Sequence, residues 1–180
     1  MKYLQTFFIS CMLLTLSSCS SNPQWADEEA HVMTEQLRKQ YTPLIVGTWH
    51  IERITDKMRY FERLTFQTDG KLSGMRKWQT RQRVTIDGEE VYTDWESVEG
   101  LEGLFSGTYQ LNWERDDKGV GQEVIHLYAA FDNPESEFYA FSHNVQFGLV
   151  GDDILRFRGS IGSNNDGWTE YQKGDAEPSF

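Results

Sequence analysis

The stretch Phe105–Phe131, FSGTYQLNWERDDKGVGQEVIHLYAAF, decides the fold. On its first limb Phe105, Tyr109, Leu111 and Trp113 share one parity, while Gln110 and Asn112 take the other. On its second limb Ile125, Leu127, Ala129 and Phe131 fall together. Between the limbs stands Asp116-Asp117-Lys118-Gly119, a cluster of turn residues. Successive side chains of a strand point to opposite faces, so this segregation predicts two antiparallel neighbours, each with one buried face.

The same signature continues on both sides. Asp69-Gly70 separates Leu64-Thr65-Phe66 from Leu72, and Asp87-Gly88 separates Val84-Thr85-Ile86 from Val91. Asp-Gly is the dipeptide that type I′ hairpins favour, because both central residues need positive φ. Downstream, Asp132-Asn133-Pro134 precedes a strand whose Tyr139, Phe141, Val145, Phe147 and Leu149 share a face. Gly151-Asp152-Asp153 precedes Ile154–Phe157, and a turn at 163–167 precedes Trp168–Tyr171. No long helix lies among the strands, which argues against a parallel βαβ sheet. An open meander would expose two edges, and closure removes them. The expected domain, 45–174, is therefore an all-β, antiparallel up-and-down barrel of about eight strands. A two-sheet sandwich is the alternative. Closure is expected where the Trp49 strand meets the late ribbon Arg156–Arg158, and a tail follows at 175–180.

Ahead of the barrel the pattern changes. Trp25–Tyr41 reads as one short helix, with Asp27, Glu28 and Glu29 in its first turns, Arg38 and Lys39 in its last, and Pro43 as its stop. Trp25, Val32, Met33 and Leu37 give it a partial apolar stripe, expected to lie against the barrel or cover one end. This helix and a short polar tether make up 19–44.

The first eighteen residues read as a leader. Lys2 is followed by an apolar run from Leu4 to Leu16. That run is too short to cross a hydrocarbon core of about 30 Å and has the proportions of a secretory signal. It ends in Leu16-Ser17-Ser18-Cys19, which resembles the bacterial lipobox. The resemblance implies cleavage of 1–18, lipidation of Cys19 and attachment to a membrane through that lipid. Ser20, rather than Asp, after the cysteine implies the outer membrane. Cys11 lies in the leader, so the tethered domain has no free thiol, disulfide or cysteine nucleophile.

The chain carries a net charge of -11, and loss of the leader removes only Lys2. Such acidity argues against nucleic acid as a partner.

Gly47-Thr48-Trp49 opens the β region. It is similar to the Gly-x-Trp that starts the first strand of lipocalins and other calycins. The order of helix, Gly-x-Trp and meander resembles the lipocalin-like domain of Bacteroidales envelope lipoproteins over about 46–173. The resemblance implies that a late basic residue, Arg156 or Arg158, packs over the Trp49 ring, and that the barrel holds a small apolar or amphipathic ligand.

Several residues are candidates to line such a site. Leu72 to Ile86 reads as one long strand, which puts Arg76, Trp78, Thr80 and Gln82 on the parity of Leu72 and Gly74. If that face is interior, its polar groups need partners, since each left unpaired costs about 1–3 kcal/mol. A polar ligand, trapped water, or a bulge that turns them to solvent would each meet the need. His143 raises the same question between Phe141 and Val145. Tyr109, Trp113 and Trp95 complete the candidate set. Trp95 either folds over the mouth as a plug or, with Tyr92, offers a surface for glycan or protein. Gly74 marks a bend or a close backbone approach.

His50 and His126 fall on the opposite parity, and His31 lies in the helix. No metal-ligand spacing, Gly-x-Ser-x-Gly elbow, P-loop or dinucleotide fingerprint is present. Glu89-Glu90, Asp116-Asp117 and Asp152-Asp153 each sit beside a turn glycine and read as solvated turn chemistry. No cofactor, metal or catalytic group is therefore expected. The expected function is binding of a small apolar or amphipathic ligand inside the barrel; the alternative is a non-enzymatic surface module that contacts glycan or another envelope protein.

Overall fold

The computed structural model describes residues 24–132, 140–158 and 167–180, with the side chains of 24–27 excepted. The leader, Cys19, the side chain of Trp25, and Tyr139 lie outside the described residues. The elements are helix α1 (Gln24–Ile45) and strands β1 (Gly47–Ile54), β2 (Met58–Phe66), β3 (Lys71–Thr80), β4 (Arg83–Ile86), β5 (Glu89–Tyr92), β6 (Glu96–Ser97), β7 (Gly103–Arg115), β8 (Gly121–Phe131), β9 (Ala140–Val150), β10 (Ile154–Arg158) and β11 (Trp168–Lys173).

Eight of the strands close a barrel in the order β1-β2-β3-β7-β8-β9-β10-β11, with β11 returning to β1. All pairings are antiparallel. The central hairpin is in the register the sequence predicts, with Tyr109 opposite Leu127 and Leu111 opposite Ile125. The buried faces follow suit: Phe105, Tyr109, Leu111, Ile125, Leu127, Ala129 and Phe131 all belong to one core.

Closure falls one strand later than expected. Trp49 pairs with Lys173 of β11, and the Arg156–Arg158 ribbon is the next strand along. The reason is parity. In an eight-strand meander the seventh strand runs in the same direction as the first, so only the eighth can close the barrel antiparallel.

The turns fall into two kinds. At Asp87-Gly88 both residues have positive φ, 52° and 85°, as a type I′ turn requires. At Asp69-Gly70 only Gly70 is left-handed; Gly70 N–H donates to Gln67 O and Gln67 N–H to Lys71 O. Asp116–Gly119 repeats that three-residue loop. The strand expected over 72–86 is two elements. β3 ends at Thr80, and β4 pairs only with β5 in a separate hairpin off the barrel.

Helix α1 closes the end of the barrel at which β1 begins, termed the base here. It packs on β7: Trp113 N–H donates to Thr34 Oγ1, and Arg38 donates from Nε to Leu111 O at 2.9 Å and from Nη2 to Asn112 Oδ1. Leu37 and Ile45 are buried, and Tyr41 meets Phe147 edge-on. The helix outruns its expected end, with Pro43 inside the last turn. An internal proline costs about 3 kcal/mol. Here the turn beyond it is pinned, because Ile45 is fully buried and its carbonyl accepts Trp49 Nε1–H at 2.7 Å. Arg38 and Lys39 are therefore not in the final turn.

The opposite end, the rim, carries the β4–β5 hairpin. Chain 174–180 runs up the outer wall from base to rim as a strap. Gly174 N–H donates to Thr48 O, Arg63 pairs with Asp175 and Glu177, and Ser179 N–H donates to Glu52. Beneath it Phe61, on the outward parity of β2, is only 1% exposed.

Candidate functional site

The chemistry inside the barrel centres on Arg76. The β2–β3 hairpin sets Arg76 directly opposite Glu62. Both side chains point inward and are almost fully buried. Arg76 donates from Nε and Nη2 to Glu62 Oε1, at 2.9 and 2.5 Å. The other carboxylate oxygen accepts the Tyr171 hydroxyl from β11. The guanidinium also lies 4.9 Å from the Phe141 ring and 5.4 Å from that of Phe131.

Burial and charge in this network shift the titration of Arg76, Tyr60 and Tyr171 and of the neighbouring His143. Burial works against the Arg76 charge, but Glu62 more than offsets it and drives the guanidinium pKa upward. Burial, reinforced by Glu62, pushes the Tyr60 and Tyr171 hydroxyls well above their ordinary value. The His143 pKa is lowered from 6.5, first by burial and then by the nearby Arg76 charge.

A cavity of about 20 Å³ adjoins the network, lined by Tyr60, Arg76, Leu127, Phe141, His143 and Tyr171 among others. A water needs about 10–15 Å³ on that measure, so one fits. The space above Arg76 is taken by packed rings: Phe105 meets Phe131 and Phe141 edge-on, and Tyr60 meets Trp78 at 89°.

The candidate residues do not form one site. Arg76, Phe141 and His143 line the cavity together, with Trp78 beside them. Gln82 is exposed at the foot of the β4–β5 hairpin. Tyr109 and Trp113 sit at the base, where Tyr109 donates its hydroxyl to Gln67 O and Trp113 is held by α1. Trp95 does not plug the mouth. It packs on Arg59 and Arg81, whose parity is that of the outer wall, at 4.2 and 4.4 Å. Arg76 is paired with a carboxylate on the next strand. Glu62 carried a readable signal, since it interrupts the apolar parity Tyr60, Leu64, Phe66.

Neither Arg156 nor Arg158 covers Trp49. Leu155 and Phe157 take the inward positions of β10, and both arginines lie over the Trp168 ring at 4.4 and 5.8 Å. The cation over Trp49 is Lys173, at 5.3 Å, supplied by the strand that closes the barrel. Gly74 marks close approach: a Cβ there would lie 2.3 Å from the Phe105 ring.

The outer wall mixes polar groups with exposed Ile54, Leu104 and Tyr128. His50 meets Gly174 O at 3.0 Å, and His126 pairs with Glu114 at 2.6 Å. Among the described residues no cluster of three metal-ligating side chains occurs, and no helix is long and apolar enough to cross a membrane. Comparison with family models, with curated proteins and with solved structures finds no match.

Proposed function

We propose that this chain is a non-enzymatic cell-envelope protein, tethered to a membrane by a lipid on Cys19, whose barrel is a rigid interaction module. The observation that carries this reading is the filled interior. The axial cavity measures about 20 Å³, whereas pockets that engulf a small ligand measure about 300–1,000 Å³. Both oxygens of the central carboxylate are engaged.

The position of the tether supports rim presentation. Helix α1 crosses the base, where Glu29 near its start pairs with Arg115 at the end of β7. A lipid on Cys19, five residues before Gln24, would hold the base toward the membrane and point the rim away. The lipobox and Ser20 favour the outer membrane.

A second reading, a small amphipathic ligand in the barrel, draws on the calycin-like order and on Phe141 and His143 beside the cavity. One experiment separates the two. The chain is purified from its native host, co-purifying small molecules are identified by mass spectrometry, and a photo-crosslinker is placed at Thr85 (rim) or Gln110 (base). The module reading expects no stoichiometric small molecule and crosslinks from Thr85 alone. A bound ligand lost on Arg76→Ala or His143→Ala refutes it, as do crosslinks from Gln110 alone. Intact-mass analysis of the N-terminal peptide tests lipidation of Cys19.

A further inference from the structure

On the outer wall at the rim, cations and aromatic rings alternate in a continuous file. Arg83 lies over Tyr92 at 5.5 Å, and Arg81 lies over Tyr92 at 4.3 Å and over Trp95 at 4.4 Å. Arg59 lies over Trp95 at 4.2 Å and reaches Phe180 at 5.9 Å, and Lys77 lies over Phe180 at 4.9 Å. The file joins β2, β3, the β4–β5 hairpin and the strap. It gathers four cations on a chain of net charge -11.

From this array we infer that the rim docks an acidic polysaccharide, whose repeated carboxylate or sulfate groups pair with the edges of the stacked guanidinium groups. The inference rests on the rim-presentation reading above and names the partner of that surface.

Three observations support it. First, among the described residues Arg59 and Arg81 have no carboxylate within ion-pair distance; the Arg81 side chain donates from Nε to Asp56 O. The ring contacts hold the Arg59 and Arg81 guanidinium groups at the wall, and their Nη groups remain as donors of the kind that take an oxyanion. Second, the cations lie in a file, which matches a repeating anion better than a single one. Third, the ring of Trp95 is occupied by guanidinium groups, so it is a poor platform for a nucleobase. Exposed Gln82 beside the file suits a hydroxylated polymer. Glu90 holds Arg83, and Asp94 and Glu96 flank Trp95, so recognition must be short-ranged rather than driven by bulk charge.

The test is affinity electrophoresis of the full chain in detergent. The probes are polygalacturonate, heparin, neutral dextran, polyglutamate and phosphatidylglycerol vesicles. Retardation by at least one acidic polysaccharide, none by dextran, and relief by added salt are expected. Arg59→Gln with Arg81→Gln should weaken binding at least tenfold. Arg83→Gln, on the hairpin and outside the barrel wall, should weaken it about threefold without touching the core. Arg115→Gln with Lys118→Gln makes the same charge change at the base and should alter binding less than twofold. The inference is overturned if neither acidic polysaccharide binds, if the base variant loses as much as the ladder variants, or if polyglutamate or vesicles bind more tightly. Failure here with Thr85 crosslinks intact would leave rim presentation standing; crosslinks from Gln110 alone would remove it.

Discussion

Replacing Arg76 by Met tests the centre of the barrel. The guanidinium makes two hydrogen bonds to Glu62 Oε1, and both side chains are buried. At about 3 Å and an effective dielectric of about 20, their attraction is about 5 kcal/mol. Arg76→Met forfeits it and leaves a buried carboxylate with the Tyr171 hydroxyl as its remaining donor in this network. Breaking a buried pair on one side costs about 3–5 kcal/mol, so Arg76→Met should lower unfolding stability by that amount. Glu62→Met should cost slightly less, because the orphaned guanidinium keeps the Phe131 and Phe141 rings, worth about 0.5–2 kcal/mol. The double variant buries no charge but orphans the Tyr171 hydroxyl, for about 1–3 kcal/mol. It should therefore be no less stable than either single variant, with a coupling above about 2 kcal/mol. Equilibrium urea unfolding by tryptophan fluorescence reads all four proteins. If Arg76→Met costs under 1 kcal/mol, or the two losses simply add, the pair does not form and the account of the core fails.

Three further outcomes follow from the same coordinates. The His143 pKa is lowered in the folded state, so below about pH 6.5 the unfolded chain binds the extra proton and stability falls with pH; His143→Leu should flatten that slope in urea titrations at pH 5 and 7. Gly74→Val would drive a side chain into the Phe105 ring and the Arg63 carbonyl, at 2.3 and 2.2 Å from its Cβ, so a loss of about 3 kcal/mol or more in thermal unfolding is expected; a loss under 1 kcal/mol contradicts the packing. Removing 175–180 uncovers Phe61 and frees Arg63, and should cost about 2–4 kcal/mol in urea unfolding while the far-ultraviolet spectrum stays unchanged.

The parts of the fold visible in the sequence were those that local pattern encodes. Alternation along Phe105–Phe131 and four of the turns lay in contiguous residues, and the hairpins follow from them. What escaped was long-range. The partner of Trp49 depends on counting strands correctly around a closed ring, and the run 72–86 concealed a break after Thr80 because its parity continues unbroken. Pro43 was a reasonable stop by local rules, overridden by the burial of Ile45 and the Trp49 indole bond. Arg76 was readable as an interior charge, but its partner needed the hairpin register that places Glu62 opposite. The strap was invisible because nothing periodic marks 174–180; its carboxylates find Arg63 only after the barrel has formed.

Energetics favour the proposed rim presentation over a ligand inside the closed barrel. To admit a ligand past the cavity, Phe141 and Trp78 must leave their present contacts. Each gives up part of its burial and an edge-on ring contact, about 1–3 kcal/mol apiece once their partial exposure is allowed for. An incoming ligand would have to offset about 2–6 kcal/mol before showing any affinity. Micromolar binding corresponds to about 8 kcal/mol, so the contacts themselves would have to reach nanomolar quality inside a space that holds one water. A partner at the rim meets no such barrier. Arg59 and Arg81 already lie over the Trp95 ring, so little ordering remains to be done when an oxyanion arrives. The rigidity that denies the interior to a ligand also holds the ladder still, because Tyr60 of the packed core and Arg59 of the ladder are consecutive residues of β2. Loosening the core with Gly74→Val should therefore weaken acidic-polysaccharide binding at the rim as well as stability. Undiminished binding in that variant, with its stability reduced, would break the link between the filled barrel and the surface it supports.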